Sequence, residues 1–272
     1  MIDKLEGNKI IGEHIQANKP FSIIRLRDES DCLEWYLTGR YPKVFNTKYE
    51  VNGGLFPLER DIFDFYCEKL KRGIETCDYA GYWKSLHHQY TIYSKKVKKI
   101  KTMHNRCLEP FYHQDPWSQY LEGKTVLIIH PFTDSIEMQY SKRHLLWENP
   151  KVLPEFQLKA LKAEQTSAGE SKRYNNWIDS LNSMIDRMRN IDFDIALIGC
   201  GCYDIPLAYE IKNINKQAIV VGGGLQLLFG IKGSRWDRYS DIIPKFYNKH
   251  WVRPTKLETP TNNHLVENGC YW

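Results

Sequence analysis

Residues 193–224 read FDIALIGCGCYDIPLAYEIKNINKQAIVVGGG, and this stretch decides the fold. Ile195 to Ile198 is a continuous apolar run without the alternation of a half-wet strand, which predicts a strand covered on both faces. Gly199 to Asp204 follows as a tight polar turn, with Asp204 placed to cap a helix whose first turn tolerates Pro206. Ile205, Ala208, Tyr209 and Lys212 keep helical spacing, Asn213 and Asn215 offer a stop, and Ala218 to Val221 is a second buried strand. Strand, turn, helix, strand is the repeating unit of a parallel sheet, so an α/β fold is expected.

The same signals extend outward. Phe21 to Ile24 and Thr125 to Ile129 are further continuous apolar runs, and Trp177, Leu181, Met184, Ile185 and Met188 line one side of a helix just before the 195–198 strand. No repeat, low-complexity tract or Pro/Gly linker interrupts the chain. One unit over 1–272 is expected: a Rossmann-like, mostly parallel sheet flanked by helices. Residues 58–120, rich in Tyr, Trp and Lys, read as a mainly helical insertion or cap.

Composition narrows the function classes. The 272 residues are 42% hydrophobic and 26% charged, ordinary for a globular protein. Lys and Arg number 38 against 33 acids, and so small a surplus excludes a dedicated nucleic-acid binder unless it is clustered. The cluster that exists, Lys95, Lys96, Lys98, Lys99 and Lys101, has the spacing of a solvated face. No apolar run approaches the roughly 20 residues of a membrane span, and the N-terminal residues mix charge into every turn, so a cytoplasmic protein without a leader is expected. The seven cysteines form no CxxC pair, which points to a reducing compartment and no structural zinc.

The chemistry is expected at the strand ends. Gly199, Gly201, Cys202 and Tyr203 form a turn whose backbone N–H groups face the start of a helix, an arrangement suited to a phosphate; the alternative is a merely tight connection. Gly223 and Gln226, in and just after the second glycine turn, would share that cleft. Val221 runs into Gly222 where a dinucleotide or S-adenosylmethionine enzyme would place an acid, which marks down an oxidoreductase or methyltransferase. After the first strand, Arg25 and Arg27 would clamp a diphosphate, and Asp28 or Glu29 would hold a cation or act as general base. Asn52 and Gly53 add a polar turn. His130 and Asp134 follow the second strand, with a satisfied core imidazole as the alternative for His130. Arg235, Trp236 and the terminal Tyr271-Trp272 are lining or packing residues, in a chain whose many aromatics would suit either a sugar or a core.

Four segments carry a resemblance: Ser22-Ile23-Ile24-Arg25 with the acidic loop after it, VLIIHPFTDSIEMQYSKR (126–143), FDIALIGCGCYDIPLAYEIK (193–212) and VVGGGLQLLFGIKGSRWD (220–237). Together they resemble proteins found with bacterial or viral surface-polysaccharide genes, which are similar to GT-D glycosyltransferases. The resemblance spans about residues 20–272. It implies a nucleoside diphosphate sugar as co-substrate, often with a divalent metal (Mn²⁺ or Mg²⁺), and a glycan as acceptor. In that pattern an arginine precedes a glycine-containing Asp-x-Glu loop. Here Arg25 keeps the arginine and Asp28 the first carboxylate and metal ligand, but Ser30 stands at the glutamate and Arg27 at the glycine, leaving Glu29 or Asp31 to substitute. The resemblance also implies diphosphate binding by the turn from Gly199 to Tyr203. The expectation is therefore a glycosyltransferase, with Asp28, Glu29 and Asp134 as catalytic candidates and Arg25 and Arg235 facing the leaving diphosphate. A non-catalytic sugar-nucleotide or polysaccharide binding module is the alternative outside enzymes.

Overall fold

A computed structural model of the chain describes residues 1–26, 30–43, 47–83, 95, 99–169, 173–240 and 242–272. Its sheet has strands β1 (Phe21–Arg25), β2 (Tyr79–Tyr82), β3 (Thr102–His104), β4 (Thr125–His130), β5 (Gln157–Lys162), β6 (Ile195–Ile198) and β7 (Gln217–Val220). They pair in the order β3-β2-β1-β7-β6-β4-β5, every neighbouring pair parallel, so the expected α/β class holds. The helices are α1 (Lys4–Gln16), α2 (Ser30–Thr38), α3 (Lys48–Val51), α4 (Arg60–Thr76), α5 (Thr133–Tyr140), α6 (Trp177–Arg189), α7 (Asp204–Asn213), α8 (Gly224–Leu228) and α9 (Ser234–Tyr239).

Strand side chains alternate between two cores. Ile24, Ile129, Ala196, Ile198, Ala218 and Val220 pack with buried residues of α2, α4, α6 and α7. Phe21, Ile23, Val126, Ile128, Ile195, Leu197 and Ile219 pack on the other face with α1, α5, α8 and the segment from Cys107 to Leu121. The apolar stripe read on α6 is buried along its whole length, and Asn176 caps that helix by accepting the Asp179 N–H at 2.9 Å. Burial on both faces is why the central strands are unbroken apolar runs rather than alternating ones.

Residues 58–120, expected to be mainly helical, contribute among the described residues α4 and the 3₁₀ turns Asn105–Leu108, Pro110–Tyr112 and Trp117–Leu121, and also β2 and β3, two strands not expected there, which extend the sheet beyond β1. The physical reason is local: the two strands have four and three residues, and neither carries an apolar run long enough to register as a period. Among the basic cluster, Lys95, Lys99 and Lys101 are exposed; Lys96 and Lys98 lie outside the described residues. All seven cysteines are buried and none forms a disulfide. Among the described residues, no helix is long and apolar enough to cross a membrane.

The topology opens a crevice. Counting along the sheet from β1 through β7 and β6 to β4, the chain leaves each strand's carboxyl end alternately toward one core and the other. The connections from β1 and β6 run to α2 and α7 on one face; those from β7 and β4 run to α8 and α5 on the opposite face. Wherever neighbouring connections diverge in this way, the carboxyl edge is left open between them, which is where ligands bind in α/β sheets.

Candidate functional site

Four strand ends build the rim: Arg25 closes β1, Gly222 and Gly223 follow β7, Gly199 to Gly201 follow β6, and His130 closes β4. Their approach is too tight for larger residues at two points. A Cβ on Gly199 would stand 2.6 Å from the Gly222 carbonyl oxygen and 3.0 Å from His130 Cδ2. Gly222 has φ +65°, and a Cβ there would stand 2.4 Å from the Arg25 guanidinium. The turn after α3 docks against the same rim, where the Cys202 N–H donates to the Gly53 carbonyl at 3.0 Å.

Two cavities occupy the rim and share Asn52, Gly53 and Tyr271 as a common wall. The larger, about 240 Å³, lies beyond β1; Arg25, Lys48 and Arg235 supply positive charge, and Tyr49, Trp83 and Tyr271 supply aromatic surface. The smaller, about 60 Å³, lies at the ends of β4, β6 and β7, and includes His130, Asp204, Gly223 and Gln226 in its lining.

The cations are held in place. Arg25 donates from Nε to Asn105 Oδ1 at 3.1 Å. Behind it Glu109 is 9% exposed, and its Oε1 stands 3.3 Å from where a Cβ on Gly224 would be. Burial pushes the Glu109 carboxyl above its ordinary range, while the positive charges of Arg25 and Arg106 pull it back. Arg235 is ion-paired with Glu267 and lies 4.9 Å above the Tyr271 ring; burial opposes its charge, but neighbouring Tyr271, Cys270 and Glu267 more than offset that and raise its pKa. Lys48 pairs with Asp31 at 3.4 Å, which places the exposed Asp31 carboxylate beside the larger cavity's cation.

Three amides of the turn expected to cup a phosphate are already used. The Gly199 N–H donates to the Ile129 carbonyl at 3.0 Å, continuing the sheet ladder; the Cys200 N–H donates to Asp204 Oδ1 at 2.5 Å; and the Cys202 N–H donates to Gly53. Asp204, expected to cap its own helix, turns back and satisfies the turn before it, so the turn is closed by the protein's own carboxylate. Positive charge for a ligand resides instead on side chains around the larger cavity.

Other expected residues are placed differently. Tyr203 is 1% exposed, stacks on Trp177 with ring centroids 5.2 Å apart, donates to Ser180 Oγ at 3.0 Å and lies 3.2 Å from Thr166 Oγ1. It is a core residue. Tyr203→Phe is expected to lower stability by about 1–2 kcal/mol through the lost hydroxyl bonds. Nucleotide affinity is expected to be unchanged, with denaturant melts and calorimetry as the two measurements. Asp134 is half-exposed on α5, paired with Lys162 at 3.0 Å, and lines neither cavity. His130 is buried, receives the Phe132 N–H on Nδ1 at 3.0 Å, and is pushed down to about 3 by burial, so it is neutral. Asp28 and Glu29 lie outside the described residues.

Sequence reasoning missed Lys48, Trp83, Asn105 and Glu109. For the last two a faint signal exists, an Asn and a Glu inside the otherwise apolar run from Cys107 to Phe111 and its approach. Among the described residues no three of His, Cys, Asp and Glu converge to hold a metal. Of the acids lining the two cavities, Asp204 accepts from the Cys200 amide, Glu267 pairs with Arg235, and Glu164 pairs with Arg173 and Arg187. The residues expected to hold Mn²⁺ or Mg²⁺, Asp28 with Glu29 as its substitute, lie outside the described residues.

Comparison with known proteins finds no matching family model and no matching curated relative. Two solved structures are similar. One is a selenomethionine-substituted structure of domain of unknown function 1792, 12% identical, covering 82% of this chain and 77% of that one with a TM-score of 0.49. The other, described as domain of unknown function 1792 with a distinct glycosyltransferase fold, is 13% identical and covers 81% and 77%, with a TM-score of 0.45. Residue roles in this chain rest on its own geometry.

Proposed function

We propose that the protein is a glycosyltransferase that moves a sugar from a nucleoside diphosphate donor to a hydroxyl of a surface polysaccharide or other glycan. One observation carries this reading: a cationic, aromatic-walled cavity adjoins a small polar one, with Asp204 and Glu164 in its lining, across a shared wall at the carboxyl edge of a parallel sheet. The larger offers rings for a base to stack on and cations for a diphosphate; the smaller offers hydrogen-bonding groups without a cation.

The demand on such a site is charge. As the bond between the anomeric carbon and the diphosphate oxygen breaks, that oxygen gains negative charge, and groups already fixed toward it lower the barrier. Arg25, locked by Asn105, is assigned that task, with Lys48 and Arg235 adding to the field. The acceptor hydroxyl must lose its proton. Asp28, three residues beyond Arg25, is the proposed base and Glu29 the substitute. A divalent metal remains an expectation tied to Asp28, and no step here is routed through it.

A thermal-shift screen with UDP, GDP, CMP, NAD and S-adenosylmethionine tests the reading, because a ligand that binds only the native state raises its melting temperature. A nucleoside diphosphate is expected to stabilise the protein. Stabilisation by NAD or S-adenosylmethionine alone would replace the proposal with an oxidoreductase or a methyltransferase. Nucleotide binding without sugar transfer or donor hydrolysis would favour a binding module, and unchanged turnover in Asp28→Ala would remove Asp28 from the mechanism.

A further inference from the structure

Gln226 and His130, both in the lining of the smaller cavity, each carry a polar atom whose bonding is incomplete. Gln226 is 0% exposed, and its Nε2 donates to the carbonyls of Lys232 at 3.2 Å and Tyr271 at 3.1 Å. Every partner of that nitrogen is an acceptor, which fixes the amide's orientation. Its Oε1 is left buried, and among the described residues nothing donates to it. His130 presents the opposite case. Its Nδ1 accepts the Phe132 N–H, so the neutral ring carries its proton on Nε2, and among the described residues Nε2–H has no acceptor. The Cδ2 atom beside Nε2 faces Gly199, itself part of the cavity lining.

A residue with an obligate acceptor and a residue with an obligate donor, both neutral, therefore belong to the lining of one cavity of about 60 Å³. A water centre needs about 10–15 Å³, so the space takes a few non-hydrogen atoms, too few for a pyranose ring. Neither atom suits a phosphate: Gln226 Oε1 would repel it, and His130 is uncharged. Both suit hydroxyls, which donate and accept.

We propose that this cavity is the recognition slot for one hydroxyl-bearing edge of the transferred sugar, with one hydroxyl donating to Gln226 Oε1 and one accepting from His130 Nε2–H. The inference rests on the glycosyltransferase reading and deepens it. Gln226 and His130 become specificity-determining residues rather than diphosphate ligands, and the ring lies toward the wall shared with the larger cavity. A site built to pair hydroxyls discriminates steeply against ligands that lack them, because its own polar atoms are then left unmatched.

The test is calorimetric affinity for UDP against UDP-glucose, UDP-galactose and UDP-N-acetylglucosamine, and for GDP against GDP-mannose. At least one sugar nucleotide is expected to bind about tenfold tighter than its nucleoside diphosphate, an advantage that analogues with one hydroxyl replaced by hydrogen lose. Gln226→Met and His130→Asn are each expected to erase the advantage while leaving nucleoside diphosphate affinity within about twofold. Asn at 130 keeps an acceptor for the Phe132 N–H, so this variant separates recognition from folding, and the deoxy analogues need no variant at all. Nucleoside diphosphates that bind with no sugar advantage, or an advantage that survives both variants, would mean the cavity holds only water and would overturn the inference alone. Failure of every nucleotide to bind would overturn the glycosyltransferase reading and this inference with it.

Discussion

Arg25→Met is expected to slow sugar transfer by about 10²–10³-fold, the usual consequence of deleting a fixed donor to developing charge. Nucleoside diphosphate affinity is expected to fall as well, by about 10- to 100-fold, because a hydrogen bond to a charged group contributes about 1.5–3 kcal/mol. The variant also removes a positive charge beside buried Glu109. That acid already sits above its ordinary range and would rise further. A raised carboxyl stabilises the fold at pH values below its unfolded range near 4.3 and loses that contribution as pH climbs through the folded value. Arg25→Met should therefore be more destabilised at pH 8 than at pH 5, by thermal melting at both. Adding Glu109→Gln removes the ionisable group, so stability is expected to recover and lose its pH dependence while transfer stays slow. Recovery of transfer in the double variant would show that Arg25 acts on the fold alone.

Gly199→Ala is expected to damage both cavities through backbone rather than chemistry. The added methyl would meet the Gly222 carbonyl at 2.6 Å, His130 at 3.0 Å and Leu225 Cβ at 3.2 Å. None of these is the loose end of a flexible side chain, so the ends of β6 and β7 must separate or the imidazole must turn. Forcing atoms into a packed region typically costs about 1–3 kcal/mol. Because Gly222 in turn abuts Arg25, the displacement reaches the diphosphate cation as well as His130. Weaker nucleotide binding and a lower melting temperature are expected together; a lower melting temperature with intact binding would mean the strain relaxes away from the rim.

What the sequence disclosed follows from the range over which each feature is determined. The strands β1, β4, β6 and β7 are legible because burial on both faces leaves continuous apolar runs. The strand β5 reads Gln-Leu-Lys-Ala-Leu-Lys and lies at the sheet's edge, partly wet, so its apolar content is diluted. Glycine turns, Arg25 and His130 stand out as local punctuation at strand ends, and the topology brings them to one rim. The partners that give them properties come from afar: Asn105 lies 80 residues from Arg25, and Asn105 and Glu109 enter the site only through packing. Tyr203 illustrates the converse. A tyrosine beside a glycine turn reads the same whether its ring meets a ligand or, as here, lies flat on Trp177.

The alternation of exits along the carboxyl edge has a mechanical corollary. Loops from β1 and β6 are anchored in one helical layer and those from β7 and β4 in the other, so a molecule lodged between them is gripped by jaws rooted on opposite sides of the sheet. Occupancy then acts as a rivet between the two helical layers.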